Sequence, residues 1–456
     1  MKKNISAVWL SLLAVLVLVS CKDTAEEVVL SSDCYISSFT LGMVRRTETT
    51  TSSTGEDSVY TVAYNAGSYA MRIDQLAGRI ENPDSLPVNS ITRAVLASVQ
   101  TTGTVMYRKE EEADGWRAYS ETDSIDFSVP LVFRVISADG SAMRDYRVQV
   151  NVHRMDGNVF VWNRLAGPEL WTGADRLNVL VWNGSAWVFA RVDGAVRVFR
   201  SDADAGVQWE EVKAAGCGDA DVKTLTAFGG RLYMTGGDGS LLVSDDARQW
   251  SPVAADRSGL RLLTADGEAL YALGGAARWR SADGVQWTEE ELDDEAAFLP
   301  VQDVSAVAYL QADGLRRVLL AGNRSAEDWP DDAGAVVWSR GTKSAGASAR
   351  WMYYNLSSDN AYACPRLSGL EVLHYNGLLL VCGGSPADDA ETEKLDIRVS
   401  RDNGVTWKRE GVYALPDDAV AAAGPFAVTA DGQHYVWLVR DGRIWRGRLN
   451  KLGFRK

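Results

Sequence analysis

Two polar segments in the second half of this 456-residue chain hold side chains of the kinds that commonly contact ligands. They combine aromatic rings with carboxylates and amides, which suit the stacking and hydrogen-bonding of a sugar or the anchoring of a protein partner. The residues are Trp329, Asp331, Asp332, Asn360 and Tyr362. We predict a non-catalytic ligand site at these residues. The alternative is that Trp329, which precedes Pro330, only fixes its own loop.

Residues that would support catalysis are scarce. The chain has 3 histidines, each in a strand-like segment, and no G-x-S-x-G turn, so a Ser-His-Asp hydrolase is poorly supported. With 61 acidic side chains, any pair of carboxylates chosen for glycoside hydrolysis would be arbitrary. We therefore assign no catalytic residue. Glycan binding ranks first, a protein-interaction scaffold second and a glycoside hydrolase third.

Neither the cysteines nor the acidic runs predict a metal or cofactor site. Cys34, Cys217, Cys364 and Cys382 show neither C-x-x-C spacing nor a neighbouring histidine. The acidic run 289–295 lacks the spacing of a calcium loop, so a solvated connector explains it better. Cys364 and Cys382 are the one plausible local disulfide pair, although buried free thiols are the favoured interpretation.

The charge balance argues against nucleic acid as a partner. The chain has 47 Lys and Arg against 61 Asp and Glu, for a formal net charge of −14. Nucleic-acid binding depends on clusters of Lys and Arg that release counterions from phosphates, and no such cluster occurs here.

The N-terminus has the pattern of an export signal. A short basic start, Met1–Asn4, precedes the apolar run Ile5–Ser20, which is too short for an ordinary membrane span. Leu18-Val19-Ser20-Cys21 resembles the lipobox of bacterial lipoproteins, and this resemblance implies a signal peptide over 1–20 and a lipid on Cys21. Residues 21–30 would then be a linker to the outer membrane, on its cell-surface or periplasmic face. The acidic residues after Cys21 faintly resemble the surface-export tag of Bacteroides-type lipoproteins.

Residues 31–153 predict a first β-rich domain. Tyr146, Val148, Val150 and Val152 alternate with polar residues, which is the period of a half-buried strand. A β-sandwich is the natural closure for such strands in a unit of this size.

From residue 158 to 456 the chain repeats. A turn dipeptide followed by an apolar strand occurs six times, and such dipeptides favour two-residue hairpins because both central residues need positive φ. The six are Asn183-Gly184, Gly229-Gly230, Asp266-Gly267, Asp313-Gly314, Asn376-Gly377 and Asp431-Gly432. Blade-length spacing between these repeats predicts a six-bladed β-propeller. The strand 159–163 would supply the missing outer strand of the last blade and so close the ring.

One octapeptide, from Ser400 through Asp402 and Gly404 to Trp407, resembles the Asp-box of the bacterial neuraminidase repeat, S-x-D-x-G-x-T-W. Shortened copies contain Ser281, Asp283 and Trp287, then Ser244, Asp246 and Trp250, and finally Asp204 and Trp209. In families that carry it, this motif is a structural turn away from the binding face. Sialidases combine six blades with this motif, but their early F/Y-R-I-P signature is absent here.

Together these features resemble a family of Bacteroides-type lipoproteins of unknown activity. The matching stretches are 72–87 and 146–153 in the first domain, and the repeats up to Asn450 in the second. The resemblance implies an all-β fold, with an N-terminal immunoglobulin-like β-sandwich followed by a six-bladed β-propeller. It implies no activity, so the expected partners are the membrane, through Cys21, and either a glycan or an envelope protein.

Overall fold

The computed structural model describes residues 30–454, apart from 52–56, 166–169, 205, 312, 342–349, 355–359 and 386–393. The predicted signal peptide and Cys21 lie outside the described residues. The chain divides into two compact units between Asp156 and Gly157. No helix among the described residues is long and apolar enough to cross a membrane.

The first unit is built from β-strands in three sheets of two, three and six strands. Its strands are β1 (Ile36–Leu41), β2 (Met43–Thr51), β3 (Asp57–Asn65), β4 (Arg72–Asp74), β5 (Arg79–Glu81), β6 (Ser90–Ile91), β7 (Ala97–Thr101), β8 (Thr104–Lys109), β9 (Arg117–Ala118), β10 (Leu131–Ile136) and β11 (Met143–Gln149). The sheet orders are β1-β7, β3-β2-β6 and β4-β5-β11-β10-β8-β9, with β5 and β11 parallel. A short 3-10 turn covers Ala66–Ser68.

Alternation along the strands of the six-stranded sheet builds the core of this unit. Tyr146 and Val148 of β11 are fully buried, whereas Arg147 between them is partly exposed. The ring of Phe133 lies 5.4 Å from that of Phe39 and 6.5 Å from that of Phe127. The all-β class is therefore confirmed for this unit, and its immunoglobulin-like topology stays a prediction.

The second unit is a six-bladed propeller, as predicted. Each blade is one antiparallel sheet. Blade 1 contains β13 (Ala174–Trp182), β14 (Ser185–Val192), β15 (Ala195–Asp202) and β16 (Glu210–Val212). Blade 2 contains β17 (Asp221–Phe228), β18 (Arg231–Thr235), β19 (Leu241–Ser244) and β20 (Ser251–Pro252). Blade 3 contains β21 (Arg261–Ala265), β22 (Leu270–Gly274), β23 (Ala277–Ser281) and β24 (Thr288–Glu290).

The remaining blades differ in how their outer strand is supplied. Blade 4 contains β25 (Gln302–Leu310), β26 (Arg316–Asn323), β27 (Val336–Gly341) and β28 (Trp351–Tyr354). Blade 5 contains β29 (Ser368–Tyr375), β30 (Leu378–Ser385) and β31 (Lys394–Ser400). In its described part, a bridge between Val399 and Lys408 stands where a fourth strand would lie. Blade 6 contains β32 (Phe426–Ala430), β33 (Val436–Arg440), β34 (Arg443–Leu449) and, as its outer strand, β12 (Phe160–Arg164).

Short helical turns complete the second unit. They are the 3-10 turns Ala296–Phe298, Gly411–Tyr413 and Asn450–Gly453 and the four-residue helix α1 (Asp417–Val420). Cys364 and Cys382 are buried free thiols, and burial raises the pKa of both.

All six turn dipeptides join the first and second strands of a blade, but only three form two-residue hairpins. Asn183-Gly184, Gly229-Gly230 and Asn376-Gly377 have positive φ at both residues. The prediction was wrong for the other three, because their Asp residues form longer turns. The carboxylates of Asp266 and Asp431 each accept two backbone N–H groups from residues further along the turn.

The turn from Ser400 to Trp407 is held by its own side chains. The carboxylate of Asp402 accepts from the Thr406 backbone N–H at 2.9 Å and from the Ser400 hydroxyl at 2.8 Å. Gly404 has φ +96°, and a Cβ there would stand 2.7 Å from Leu319 of blade 4. A side chain at this position would therefore require the Leu319 side chain to move and would hold a strained backbone angle.

The tryptophan after each of these turns packs against the preceding blade. Trp407 is 1% exposed and lies in a cluster with Leu319 and Val337 of blade 4. The other three join their own blade to the one before it: Trp250 with Phe189, Trp287 with Tyr233, and Trp209 with Trp437. The hydrophobic core of the propeller therefore lies between its blades.

The first blade departs from the sequence-based assignment. There Asp202, not Asp204, accepts a backbone N–H from within the turn, at 2.7 Å from the Asp204 nitrogen. The Asp204 carboxylate instead accepts from the Gln433 side chain of blade 6 at 2.9 Å. From its serine to its glycine, the blade-1 turn (Ser201 to Gly206) is two residues longer than the blade-3 turn (Ser281 to Gly284), which moves the carboxylate out of place.

Adjacent residues in the blade-2 turn allow a controlled test. Asp246 accepts backbone N–H groups from Arg248 and Gln249, and these bonds hold its pKa below the usual range. We expect Asp246→Ala to lower the free energy of unfolding by about 1 kcal/mol at neutral pH, as for loss of a capping carboxylate. Asp245→Ala is the control, because Asp245 is 76% exposed and forms only a surface ion pair with Arg231.

The depressed pKa of Asp246 fixes the sign of the pH dependence. Its contribution is present above the pKa of the unfolded chain and is lost as pH falls through the lower folded pKa. The free energies of unfolding of wild type and Asp246→Ala, measured by urea titration, should therefore become more similar as the pH falls from neutral to about 3. A difference that stays constant with pH would contradict this account.

Candidate functional site

A cavity of about 960 Å³ opens at one end of the propeller axis. The first strands of neighbouring blades contact one another around this axis, so their starting residues meet at the same end. The main polar residues lining the cavity come from the starts of these strands, with one from the end of β33: Asp175, Arg176, Asp221, Lys223, Arg261, Gln302, Asp303, Ser368 and Arg440. We call this cavity the channel mouth. A narrower space of about 400 Å³ continues along the axis.

Irregular pairing of the first and second strands determines where these side chains point. The register between first and second strands shifts near the channel mouth in five of the six blades, at 174–176, 221–226, 262–264, 302–305 and 368–371. A bulge breaks the strict alternation of a strand and redirects side chains. The shifts therefore allow charged residues, which alternation would place in a blade interface, to face the axis.

A partly buried ion pair crosses the ring at the base of the channel mouth. Lys223 of blade 2 contacts Glu371 of blade 5, and their side chains are 23% and 14% exposed. The Lys223 ammonium also donates to the Phe426 carbonyl at 2.9 Å, and Glu371 accepts from the Val428 backbone N–H at 2.7 Å. The pair thus joins blades 2, 5 and 6.

Burial dominates the acid–base behaviour of this pair. Loss of hydration raises the pKa of Glu371, and the ammonium of Lys223 opposes that rise. Without Lys223, the ionised carboxylate would have no basic partner in a poorly hydrated site.

Asp303 occupies a strained position at the same cavity. Its φ is +48°, which is unfavourable for a residue other than glycine. Its carboxylate accepts from the Asn323 side chain at 2.9 Å and from the Gly369 backbone N–H at 2.8 Å. These bonds tie blade 4 to blade 5 and hold the carboxylate at the cavity wall.

The residues predicted from sequence lie elsewhere. None of Trp329, Asp331, Asp332, Asn360 and Tyr362 lines the channel mouth. They form two groups, and no described hydrogen bond or ring contact joins one group to the other. Their role in ligand binding stays a prediction.

The first group fixes the loop between β26 and β27. The Arg324 guanidinium lies 3.6 Å from the ring centre of Trp329 and forms a two-point ion pair with Asp332. The Trp329 ring also packs edge-on against Phe298 at 5.6 Å. Asp331 is exposed. These contacts support the alternative that Trp329 holds its own loop.

The second group lies between blades 4 and 5. The Asn360 side chain donates to the Val405 carbonyl and accepts from the Tyr362 backbone N–H. Tyr362 is 53% exposed, with the Lys408 ammonium 4.3 Å from its ring centre. An exposed ring beside a cation leaves this surface open to a partner.

Sequence reasoning missed the channel mouth. Its polar residues are spread from 175 to 440, and each is a single charge or polar group near a strand end. The available signal was a charged residue at the start of the first strand in several repeats, such as Arg176, Lys223 and Arg261. Within the described residues, no group of three or more His, Cys, Asp or Glu could hold a metal ion.

Comparison with known proteins identifies the family. The family described as the DUF6242 beta propeller domain matches residues 156–456, and the DUF6242 N-terminal domain of unknown function matches residues 39–150. The chain belongs to this family. A search of curated proteins found no significant match.

Several solved propeller structures are similar to parts of the chain. An endo-arabinase from Bacteroides thetaiotaomicron shares 15% identity over 52% of this chain and 96% of its own, with a TM-score of 0.31. A Dyadobacter fermentans protein of unknown function shares 12% over 63% and 96%, with a TM-score of 0.39. A Trypanosoma rangeli sialidase shares 12% over 64% and 60%, with a TM-score of 0.36. Likeness of this extent carries no information on activity.

The contacts of Trp329 yield a test of its role. We expect Trp329→Ala to lower the free energy of unfolding by about 2 kcal/mol, through lost packing and a lost cation–π contact. Tyr362→Ala is the control, because an exposed ring contributes less to folding. Chemical denaturation followed by tryptophan fluorescence measures both. Unchanged stability of Trp329→Ala, together with lost ligand affinity, would support the sequence-based site.

The ion pair across the ring predicts a pH-dependent defect. We expect Lys223→Met to cost about 3 kcal/mol at about pH 8, because it leaves the Glu371 carboxylate unpaired. The loss should be smaller at about pH 5, since the raised pKa lets Glu371 bind a proton when folded. Stability of the variant therefore falls as pH rises.

The double variant Lys223→Met with Glu371→Gln is the control for this experiment. It contains no buried charge at the site, so its stability should depend on pH less than that of Lys223→Met. Equal losses for Lys223→Met at both pH values would show that Glu371 does not respond as described.

Proposed function

We propose that this DUF6242 protein is an outer-membrane lipoprotein whose propeller is a non-catalytic module that binds a glycan at the channel mouth. The observation that carries the binding site is the 960 Å³ cavity lined by polar groups from the starts of several central strands. The lipobox-like segment ending at Cys21 supports attachment to the membrane through lipid.

The composition of the cavity suits a sugar. Small-molecule sites are usually mostly apolar with a few polar groups, whereas charged and polar residues make up about half of this lining. Carboxylates, guanidinium groups and amides together donate and accept hydrogen bonds, which matches the many hydroxyls of a carbohydrate. Its volume lies within the range of sites that enclose a small ligand.

The pairing of the carboxylates favours binding over hydrolysis. A glycoside hydrolase needs one carboxylic acid that protonates the leaving group and a second, ionised carboxylate. Here Asp175, Asp221 and Glu371 each form an ion pair with a basic side chain. Asp303 is held by two hydrogen bonds.

A protein-interaction scaffold is the second candidate. The surface around Tyr362 supports it, because Tyr362 and Val405 are 53% and 46% exposed and the Asn360 side chain bonds to the backbone of both. Exposed aromatic and aliphatic side chains on one surface are common at protein interfaces.

Blocking each surface distinguishes the two candidates. Val301 lines the channel mouth and is 61% exposed, so Val301→Trp should fill the cavity without disturbing the core. We expect the chain from Lys22 to Lys456 to bind specific glycans on an array without cleaving them. Val301→Trp should weaken this binding by at least about 10-fold by calorimetry.

Val405→Trp is the matched control, since it adds the same bulk beside Tyr362. It should leave glycan affinity unchanged. Binding lost in Val405→Trp but kept in Val301→Trp would place the site at the Tyr362 surface. Absence of any glycan binding would rule out the proposal, and turnover of a bound glycan would show an enzyme.

A further inference from the structure

The charges of the channel mouth do not cancel. Three acidic residues at or just below the cavity have a basic partner each: Asp175 with Arg191, Asp221 with Arg176 and Glu371 with Lys223. After these pairs are set aside, Asp303, Arg440 and Arg261 remain. The cavity therefore has an excess of positive charge, in a protein whose formal net charge is −14.

Two of these three residues are already engaged by the protein. Asp303 accepts two hydrogen bonds from blades 4 and 5. Arg440 is 5% exposed and donates to the Ala419 carbonyl at 3.0 Å. Both help to build the cavity wall.

Arg261 differs from every other basic residue of the lining. Within the described part of the chain its guanidinium forms no ion pair, hydrogen bond or ring contact. It is the first residue of β21, immediately before the register shift at Leu262–Thr264. Like Lys223, it lines both the channel mouth and the narrower space below.

A half-buried guanidinium without a partner is suited to receive one from a ligand. It remains positive throughout the pH range of proteins, and its planar fork matches two oxygens of a carboxylate or sulfate group. Ion pairs neutralise Asp175, Asp221 and Glu371. The remaining acid of the lining, Asp303, is matched in number by Arg440, which leaves one positive charge to attract an incoming anion. Partial burial strengthens that attraction relative to a fully exposed site.

We propose that Arg261 binds the acidic group of the ligand, so that the module recognises an acidic sugar. This inference rests on the proposed function and narrows it to glycans that contain a uronate or a sulfate. The hydroxyls of the same sugar would face the ion-paired wall of the channel mouth. Neutral glycans of equal size bind more weakly, because they leave the guanidinium without an anion.

Calorimetry with matched oligosaccharides tests the inference. The probes are trigalacturonate, its fully methyl-esterified form and a sulfated galactose oligosaccharide of similar length, each titrated into the chain from Lys22 to Lys456. We expect an acidic probe to bind and the methyl ester to bind at least about 10-fold more weakly. Which acidic probe binds identifies carboxylate or sulfate as the recognised group.

Arg261→Met should weaken binding of the acidic probe by about 10- to 100-fold, as for loss of a charge-assisted hydrogen bond. It should also abolish the preference over the methyl ester. Arg261→Lys should keep part of that preference. Arg257→Met is the control, because Arg257 is a nearby basic residue that packs 4.1 Å from the ring centre of Trp279 and does not line the cavity. Thermal melts should show that all three variants fold.

The outcomes separate this inference from the proposed function. If the methyl ester or neutral glycans bind as tightly as acidic ones, Val301→Trp blocks them and Arg261→Met has no effect, the inference is wrong and the glycan site stands. If Arg257→Met weakens binding as much as Arg261→Met, general charge rather than a direct contact explains the result, and the inference is wrong. If no sugar binds at all, both fail.

Discussion

The pairing of β12 with β34 is the constraint on which the propeller depends. Residues 160–164 form an antiparallel ladder with 445–449, so the start of the propeller domain completes its last blade. Without this ladder, β34 would present an unpaired edge. Blade 6 would also lose β12, the strand that continues along the chain into blade 1. The closed ring then forces the six first strands to surround one axis. The channel mouth exists only because that closure brings together polar residues from 175 to 440.

Packing between the blades sets how closely those strands approach. The tryptophans after the turns insert into the preceding blade, and Gly206 and Gly404 beside two of them lie too close to their neighbours for a side chain to fit without a shift. Both faces of each blade pack against a neighbouring blade. A first strand without a register shift would therefore point every side chain into one of these two apolar interfaces. The register shifts near the channel mouth interrupt this alternation between the two faces. Polar side chains can then face the axis while the rest of each strand stays in the core.

The fold could be predicted from sequence because its signals are local. Turn dipeptides, two-residue periodicity and the spacing from Ser400 to Trp407 each lie within one repeat, and together they indicated six blades and the closing strand. Three turns were predicted wrongly, since an Asp side chain can bond its own backbone and stabilise a longer loop.

The candidate site could not be predicted in this way. Lys223 and Glu371 are 148 residues apart, and only ring closure and bulged registers make them neighbours. Trp329 looked like a binding residue, because its partner Arg324 is recognisable only once the loop is folded.

The Lys223–Glu371 pair also explains how a cavity on the axis can be specific. A propeller channel that stayed open would be a water-filled pore with little surface enclosing a ligand. The pair and its bonds to blade 6 place fixed charges across the axis, directly below the channel mouth. Because these groups are already satisfied by one another, they are not the strongest anchor for a ligand. Specificity then depends on a group that the fold leaves unsatisfied, and in the described lining that group is the guanidinium of Arg261. Because the Lys223–Glu371 pair is satisfied and one cation beside it is not, an acidic ligand has a single preferred orientation in the cavity.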